Sequence, residues 1–174
     1  LVEKLNVRHF AVQGLVLCPT RELADQVARA IRELARSRHN VKVLTLCGGT
    51  PIGPQIGSLS HGAHIVVGTP GRVKDHLDKG TLTLDKLRTL VLDEADRMLD
   101  MGFIIDIKRI LRHLPEERQT LFFSATFNDE VFALKNTLLK DPALIEVAER
   151  NTAAAQVEQR IYEVDSHKKA ALVA

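Results

Sequence analysis

Short, almost unbroken apolar runs alternate with amphipathic stretches along this chain. Six runs have strand character: Leu15-Val16-Leu17-Cys18, Val41-Lys42-Val43-Leu44-Thr45-Leu46, Ile65-Val66-Val67, Leu90-Val91-Leu92, Leu121-Phe122-Phe123 and Leu144-Ile145-Glu146-Val147. Most are continuous rather than alternating, as parallel strands covered on both faces require. After Thr20, the residues Leu23, Val27, Ala30, Ile31 and Leu34 recur at helical spacing. They predict a helix of about 17 residues with one apolar stripe, Thr20 as its N-cap and Glu22 favourable in the first turn. A second helix is expected from Pro70, capped by Thr69 and stopped at Lys79-Gly80. A third carries Ile104, Ile107, Ile110, Leu111 and Leu114 and ends before Pro115. A fourth starts behind Asn128, turns Val131, Leu134 and Leu138 inward, and closes at Asp141-Pro142. Arg29, Arg32, Arg36 and Arg38 fall on the polar side of the first helix and read as a solvated face, not a binding stripe. This alternation predicts an α/β domain with a mostly parallel sheet, a class that binds ligands at the carboxyl ends of its strands. Apolar periodicity lapses over residues 148–156, which read as a linker between a first domain (1–147) and the start of a second (157–174).

Composition narrows the class. The 174 residues are 45% hydrophobic and 26% charged, ordinary for one globular domain. With no Trp, one Tyr and six Phe, the core has to be aliphatic. Twenty-four basic against 22 acidic residues leave +2, too little to establish a nucleic-acid partner from charge alone. Cys18 and Cys47 sit in apolar runs without metal-ligand spacing, as reduced core residues of a cytoplasmic protein would. The seven His are scattered, with no HExxH, which argues against a zinc enzyme. No apolar stretch approaches the roughly 18 residues of a membrane span, so no membrane partner is expected. The opening Leu1-Val2-Glu3-Lys4-Leu5 lacks Met and reads as the middle of a helix, so the chain is expected to be part of a longer one.

Candidate chemistry concentrates where Leu90-Val91-Leu92 runs into Asp93-Glu94-Ala95-Asp96. Adjacent carboxylates at the tip of a buried strand repel each other and lose solvation, a cost that a divalent cation relieves. In a nucleoside triphosphatase of Walker B type, Asp93 holds Mg²⁺, with Glu94, through water, and Glu94 orients or deprotonates the attacking water. An acidic first turn on a solvated helix explains the same four residues equally well when they are taken alone.

The neighbouring motifs decide between the two. Asp93-Glu94-Ala95-Asp96 spells the motif that names the DEAD-box RNA helicases. Pro19-Thr20-Arg21-Glu22-Leu23-Ala24 resembles motif Ia of that family, Gly48-Gly49 its GG motif, Thr69-Pro70-Gly71-Arg72 its motif Ib and Ser124-Ala125-Thr126 its motif III. All five stand in the family's order across essentially the whole chain, and within the family the pattern is most similar to the bacterial DbpA type. The resemblance implies a RecA-like sheet of the P-loop NTPase type, sandwiched by helices. It also implies ATP and Mg²⁺ as cofactors and ATP-driven local unwinding of RNA duplexes, with ribosomal RNA in large-subunit assembly as the substrate. A non-catalytic RNA-binding module and a DNA helicase of the same superfamily remain as alternatives.

Single-stranded RNA offers phosphates and 2′-hydroxyls whatever its sequence, so a general remodeller grips the backbone. Pro19, Thr20 and Arg21 offer N–H groups, a hydroxyl and a guanidinium; Gly48 and Gly49 expose bare main chain; Thr69, Pro70, Gly71 and Arg72 repeat the first set. The hydroxyls of Ser124 and Thr126 are expected to reach Asp96, a link that by resemblance couples nucleotide to RNA. None of the ten glycines is followed by Lys, so the phosphate-loop pattern Gly-x-x-x-x-Gly-Lys-Ser/Thr is absent from this sequence. By resemblance that loop and its strand lie upstream of Leu1. The chain by itself is therefore expected not to bind ATP tightly or hydrolyse it, and to self-associate through unpaired strand edges.

Overall fold

Valine- and leucine-rich runs too short for helices pair side by side into a single all-parallel sheet, with helices filling the crossovers. The computed structural model describes residues 1–146. In chain order the elements are β1 (Gly14–Leu17), α1 (Arg21–Leu34), β2 (Val43–Leu46), α2 (Gly53–Ser60), β3 (Ile65–Gly68), α3 (Pro70–Asp78), β4 (Thr89–Leu92), α4 (Ala95–Asp100), α5 (Ile104–Leu111), β5 (Gln119–Phe122) and α6 (Asp129–Leu138). The strands lie in the order β2-β3-β1-β4-β5, so the first strand in sequence occupies the centre. Its register runs Gly14 against Ile65 on one side and Gly14 against Thr89 on the other. The compact unit holding this sheet is Leu1–Pro142.

Alternate residues of each strand enter opposite cores. Leu15 and Leu17, with Val66, Leu90 and Leu92, pack against Val73 of α3, Met98 of α4, Ile107 and Ile110 of α5 and Val131 of α6. Val16 and Cys18, with Ile65 and Val67, face Ala24 and Ala28 of α1. Burying each such Leu or Val contributes about 1.5–3 kcal/mol, which explains why these runs tolerate almost no polar interruption. Both cysteines are free and buried.

Several sequence expectations shift. On α1 the small residues Ala24 and Ala28 occupy the centre of the buried face, with Leu23, Val27 and Ile31 flanking it. Leu34 is 70% exposed, because the α-helix ends there and continues as a 3-10 turn through Ala35–Ser37. Arg32 and Arg38 are anchored rather than merely solvated: Arg32 donates to Val43 O (3.1 Å) and Thr45 Oγ1 (3.3 Å), and Arg38 to Val2 O and Glu3 O. Thr69 holds the N-cap position of α3 without a side-chain cap bond, and Pro70 supplies the helical φ. Asn128 caps α6 as expected, accepting from Val131 N at 2.9 Å. The helix α2 was not foreseen, and α4 is the helix with an acidic first turn that stood as one of the two readings of residues 93–96. Residues 144–146 form no strand, and position 147, the linker 148–156 and the second-domain segment 157–174 fall outside the described residues.

Candidate functional site

Because every strand points the same way, all the loops leaving their carboxyl ends gather on one edge. Leu46, Gly68, Leu17, Leu92 and Phe122 stand level in the register, and the candidate residues follow directly behind them. The loops after β2, β3 and β1 carry Gly48-Gly49, Thr69-Pro70-Gly71-Arg72 and Pro19-Thr20-Arg21. Those after β4 and β5 carry the acidic cluster and Ser124-Ala125-Thr126.

At the end of β4 the main chain turns sharply. Asp93 N donates to Leu17 O (3.0 Å), and Glu94 then adopts the left-handed conformation (φ 49°, ψ 55°) as the N-cap of α4. For a residue with a Cβ this costs roughly 1–2 kcal/mol, and neighbouring bonds fix it: Ala95 N donates to Phe123 O (2.9 Å) and Met98 N to Glu94 O (3.1 Å). The turn sends the two carboxylates apart in environment. Asp93 is half-buried, and burial, then the Glu94 charge, push its pKa above the ordinary carboxylate value. Glu94 lies nearer solvent and pairs with Arg97 (3.1 Å). The same corner drives the buried Cys18 thiol up to about 12, through burial first and then Asp93, Cys47 and Glu94.

Asp96, in the first turn of α4, faces β5. Its Oδ2 accepts from both the N–H and the hydroxyl of Thr126, each at 2.9 Å, and its Oδ1 from Arg97 N at 3.0 Å. Burial raises its pKa, but these three donors outweigh burial and hold it below the ordinary value. Ser124 does not reach Asp96. Its hydroxyl instead donates to Thr126 O (2.7 Å), bracing the loop that presents Thr126.

On the other half of the edge, Thr20 Oγ1 accepts from Leu23 N (3.3 Å) and caps α1, so Arg21 begins the helix with its side chain exposed. Gly49 has φ 76°, and a Cβ there would collide with Arg21 Nη1, so the guanidinium lies directly over the glycine. Arg72 reaches the same turn from α3, donating Nη2 to Thr50 O (2.9 Å), while its buried Nη1 has no partner. Arg21 over Gly49 and Arg72 on Thr50 O thus bring two guanidinium groups to one glycine turn, a cradle suited to an anionic acceptor. Gln55 binds this turn as well and His76 in turn bonds Gln55, contributions that sequence reading missed because nothing in their spacing links them.

A family model of the DEAD/DEAH box helicases matches residues 1–134. The chain belongs to this family. It is 51% identical over 173 residues to the ATP-dependent RNA helicase DbpA of Escherichia coli, covering 99% of this chain and 38% of that protein. It is 46% identical to the DEAD-box ATP-dependent RNA helicase CshA of Geobacillus kaustophilus, over 97% of this chain and 36% of the relative. Among solved structures, a DEAD box protein from the hyperthermophile Methanococcus jannaschii superposes with TM-score 0.76 at 43% identity, over 80% of this chain and 38% of that one. The chain thus spans under two-fifths of the length of these relatives. In DEAD-box terms, the residues that name the family form the corner between β4 and α4.

Among the described residues no group of three or more His, Cys, Asp or Glu is arranged to hold a metal by itself. Asp93 and Glu94 nevertheless suit Mg²⁺, which keeps most of its waters and takes one or two carboxylates beside substrate phosphates. The raised pKa of Asp93 is the electrostatic stress that such a cation would remove. No helix among the described residues is long and apolar enough to cross a membrane.

Proposed function

We propose that this chain supplies the Mg²⁺-holding corner and an RNA-backbone grip of an ATP-dependent RNA helicase that locally unwinds duplexes. The observation that carries this reading is the shared edge. The Asp93-Glu94 corner and the Asp96–Thr126 link lie at the carboxyl ends of β4 and β5, and the Arg21, Gly49 and Arg72 cradle at those of β1, β2 and β3. Asp93 would hold Mg²⁺ through water, and bound Mg·ATP would supply the phosphoanhydride whose cleavage drives the cycle. Glu94 orients the attacking water and takes its proton. Arg21, Arg72 and the main chain of the Gly48-Gly49 turn receive phosphate oxygens, with Thr20 and the start of α3 at Gly71 alongside. Asp96 and Thr126, braced by Ser124, tie the two loops together so that a change at the nucleotide reaches β5. Ribosomal RNA as the substrate rests on the DbpA-type resemblance alone.

The test uses the full-length protein. Glu94→Gln removes the proton acceptor but keeps the shape, so RNA-stimulated ATP hydrolysis should fall about 10²–10⁴-fold while single-stranded RNA is still bound. Undiminished hydrolysis in Glu94→Gln would overturn the reading, and stimulation by DNA equal to that by RNA would reject RNA as the substrate.

A further inference from the structure

The Gly48-Gly49 turn is held from beneath by a chain of hydrogen bonds that ends inside α3. Gln55, in the first turn of α2, donates Nε2 to Cys47 O (3.0 Å) and to Thr50 Oγ1 (3.1 Å), the residues that bracket the glycine pair. That orientation leaves Gln55 Oε1 facing away from the turn, where it lies 3.0 Å from His76 Nε2. A carbonyl oxygen only accepts, so the network assigns the imidazole proton to Nε2. On the far side of the ring Thr81 Oγ1 lies 2.8 Å from Nδ1 and 3.1 Å from His76 O, and its one proton turns to Nδ1 when Nε2 carries the ring hydrogen. His76 is fully buried, and burial followed by the Arg72 charge disfavours its cationic form, which suits this single tautomer. One turn earlier on the same helix, Arg72 holds Thr50 O.

Two adjacent glycines carry the highest conformational entropy of any residue pair, and Gly48 has open space around its Cα. A turn so built binds a phosphate well only if its peptide planes are already fixed. If the Gln55 amide flipped, its oxygen would face Cys47 O and that bond would be lost, leaving only the Thr50 hydroxyl able to pair with it. His76 reinforces that orientation, because its Nε2–H donates to the amide oxygen and would face the amide NH₂ after a flip.

We infer that Gln55 and His76 are positioning residues that preorganise the Gly48-Gly49 turn for the RNA backbone, His76 acting solely through the amide of Gln55. This rests on the reading of that turn as an RNA contact. Neither residue touches RNA in this account. Each reaches it through the turn.

Fluorescence anisotropy of a labelled single-stranded oligouridine titrated with the full-length protein tests the inference. His76→Met fills similar space without a donor, His76→Gln restores an amide N–H near the Nε2 position, and Gln55→Ala removes the clamp. His76→Met and Gln55→Ala should each weaken binding about three- to tenfold, the range one hydrogen bond spans. The double variant should be no weaker than the worse single one, and His76→Gln should recover most of the loss. Arg72→Ala serves as the reference for the turn itself. If Arg72→Ala weakens binding while folded His76→Met and Gln55→Ala do not, the inference fails and the RNA reading stands. If Arg72→Ala has no effect either, the RNA reading fails and takes the inference with it. Should His76→Met lose its cooperative melt, Gln55→Ala decides, because Gln55 is only half-buried on an α2 that buries none of its residues.

Discussion

Removing the Thr126 hydroxyl while keeping its shape isolates the link between β5 and α4. Thr126→Val deletes the Oγ1 bond to Asp96 Oδ2 and leaves the Thr126 N–H bond to the same oxygen in place. A hydrogen bond to an ionised carboxylate is worth about 1.5–3 kcal/mol when dry. Here Asp96 is only partly buried and Thr126 is exposed, so water competes and the expected loss is about 1 kcal/mol. The sign of its pH dependence follows from Asp96, whose folded pKa lies below its unfolded value. Stability from such a group is fully present above the unfolded value, about pH 4, and is lost as pH falls through the folded one. Urea denaturation at pH 7 should therefore separate wild type from Thr126→Val by about 1 kcal/mol, and the gap should shrink below pH 4. NMR titration of the Asp96 carboxyl should show its midpoint moving upward in the variant, and Thr126→Ser should restore both. A gap unchanged between pH 7 and pH 3, or an Asp96 midpoint that does not move, would refute the assignment of Thr126 as a stabilising partner of the ionised carboxylate.

Two further outcomes follow from the packing. The Cys18 thiol, buried and raised to about 12 beside Asp93, should resist iodoacetamide at pH 8 in the native protein and label only after unfolding, as mass spectrometry would show. Two glycines should respond oppositely to alanine. At Gly68 a Cβ would collide with the backbone oxygen of Leu46, so Gly68→Ala should cost about 1–3 kcal/mol or more in thermal or urea melts. At Gly57, inside α2 with open space around it, Gly57→Ala should gain about 0.5–1 kcal/mol.

What the sequence made legible was whatever one element states by itself. Continuous runs such as Ile65-Val66-Val67 announced buried parallel strands, and Asn128 announced the start of α6. The helix α2 stayed hidden because Gly53, Pro54, Gly57 and two serines give it poor helical propensity, and it buries no residue that could show a period. The start of α4 could be read from its acidic first turn, but not the left-handed turn at Glu94, which no composition rule assigns to glutamate. Leu144-Ile145 looks like a strand because a short apolar run carries no information about whether a partner strand exists. The acidic corner was legible as a motif, and its environment was not. That Asp93 and Asp96 shift in opposite directions depends on Thr126, thirty positions away in sequence. The Gln55–His76 contact is hidden for the same reason, since a histidine among seven scattered ones becomes informative only when its two nitrogens are seen to be used.

The central place of β1 also sets a timetable. Its partners are β3 and β4, whose first paired residues, Ile65 and Thr89, lie about 50 and 75 positions later than Gly14. A ribosome adding about 5–20 residues per second would therefore hold Gly-Leu-Val-Leu without either neighbour for several seconds. During that interval a strand destined for full burial is a sticky, two-edged ribbon. A pause in translation before Ile65, or a shortage of chaperone, would harm this protein before the acidic corner at Asp93-Glu94 has been made.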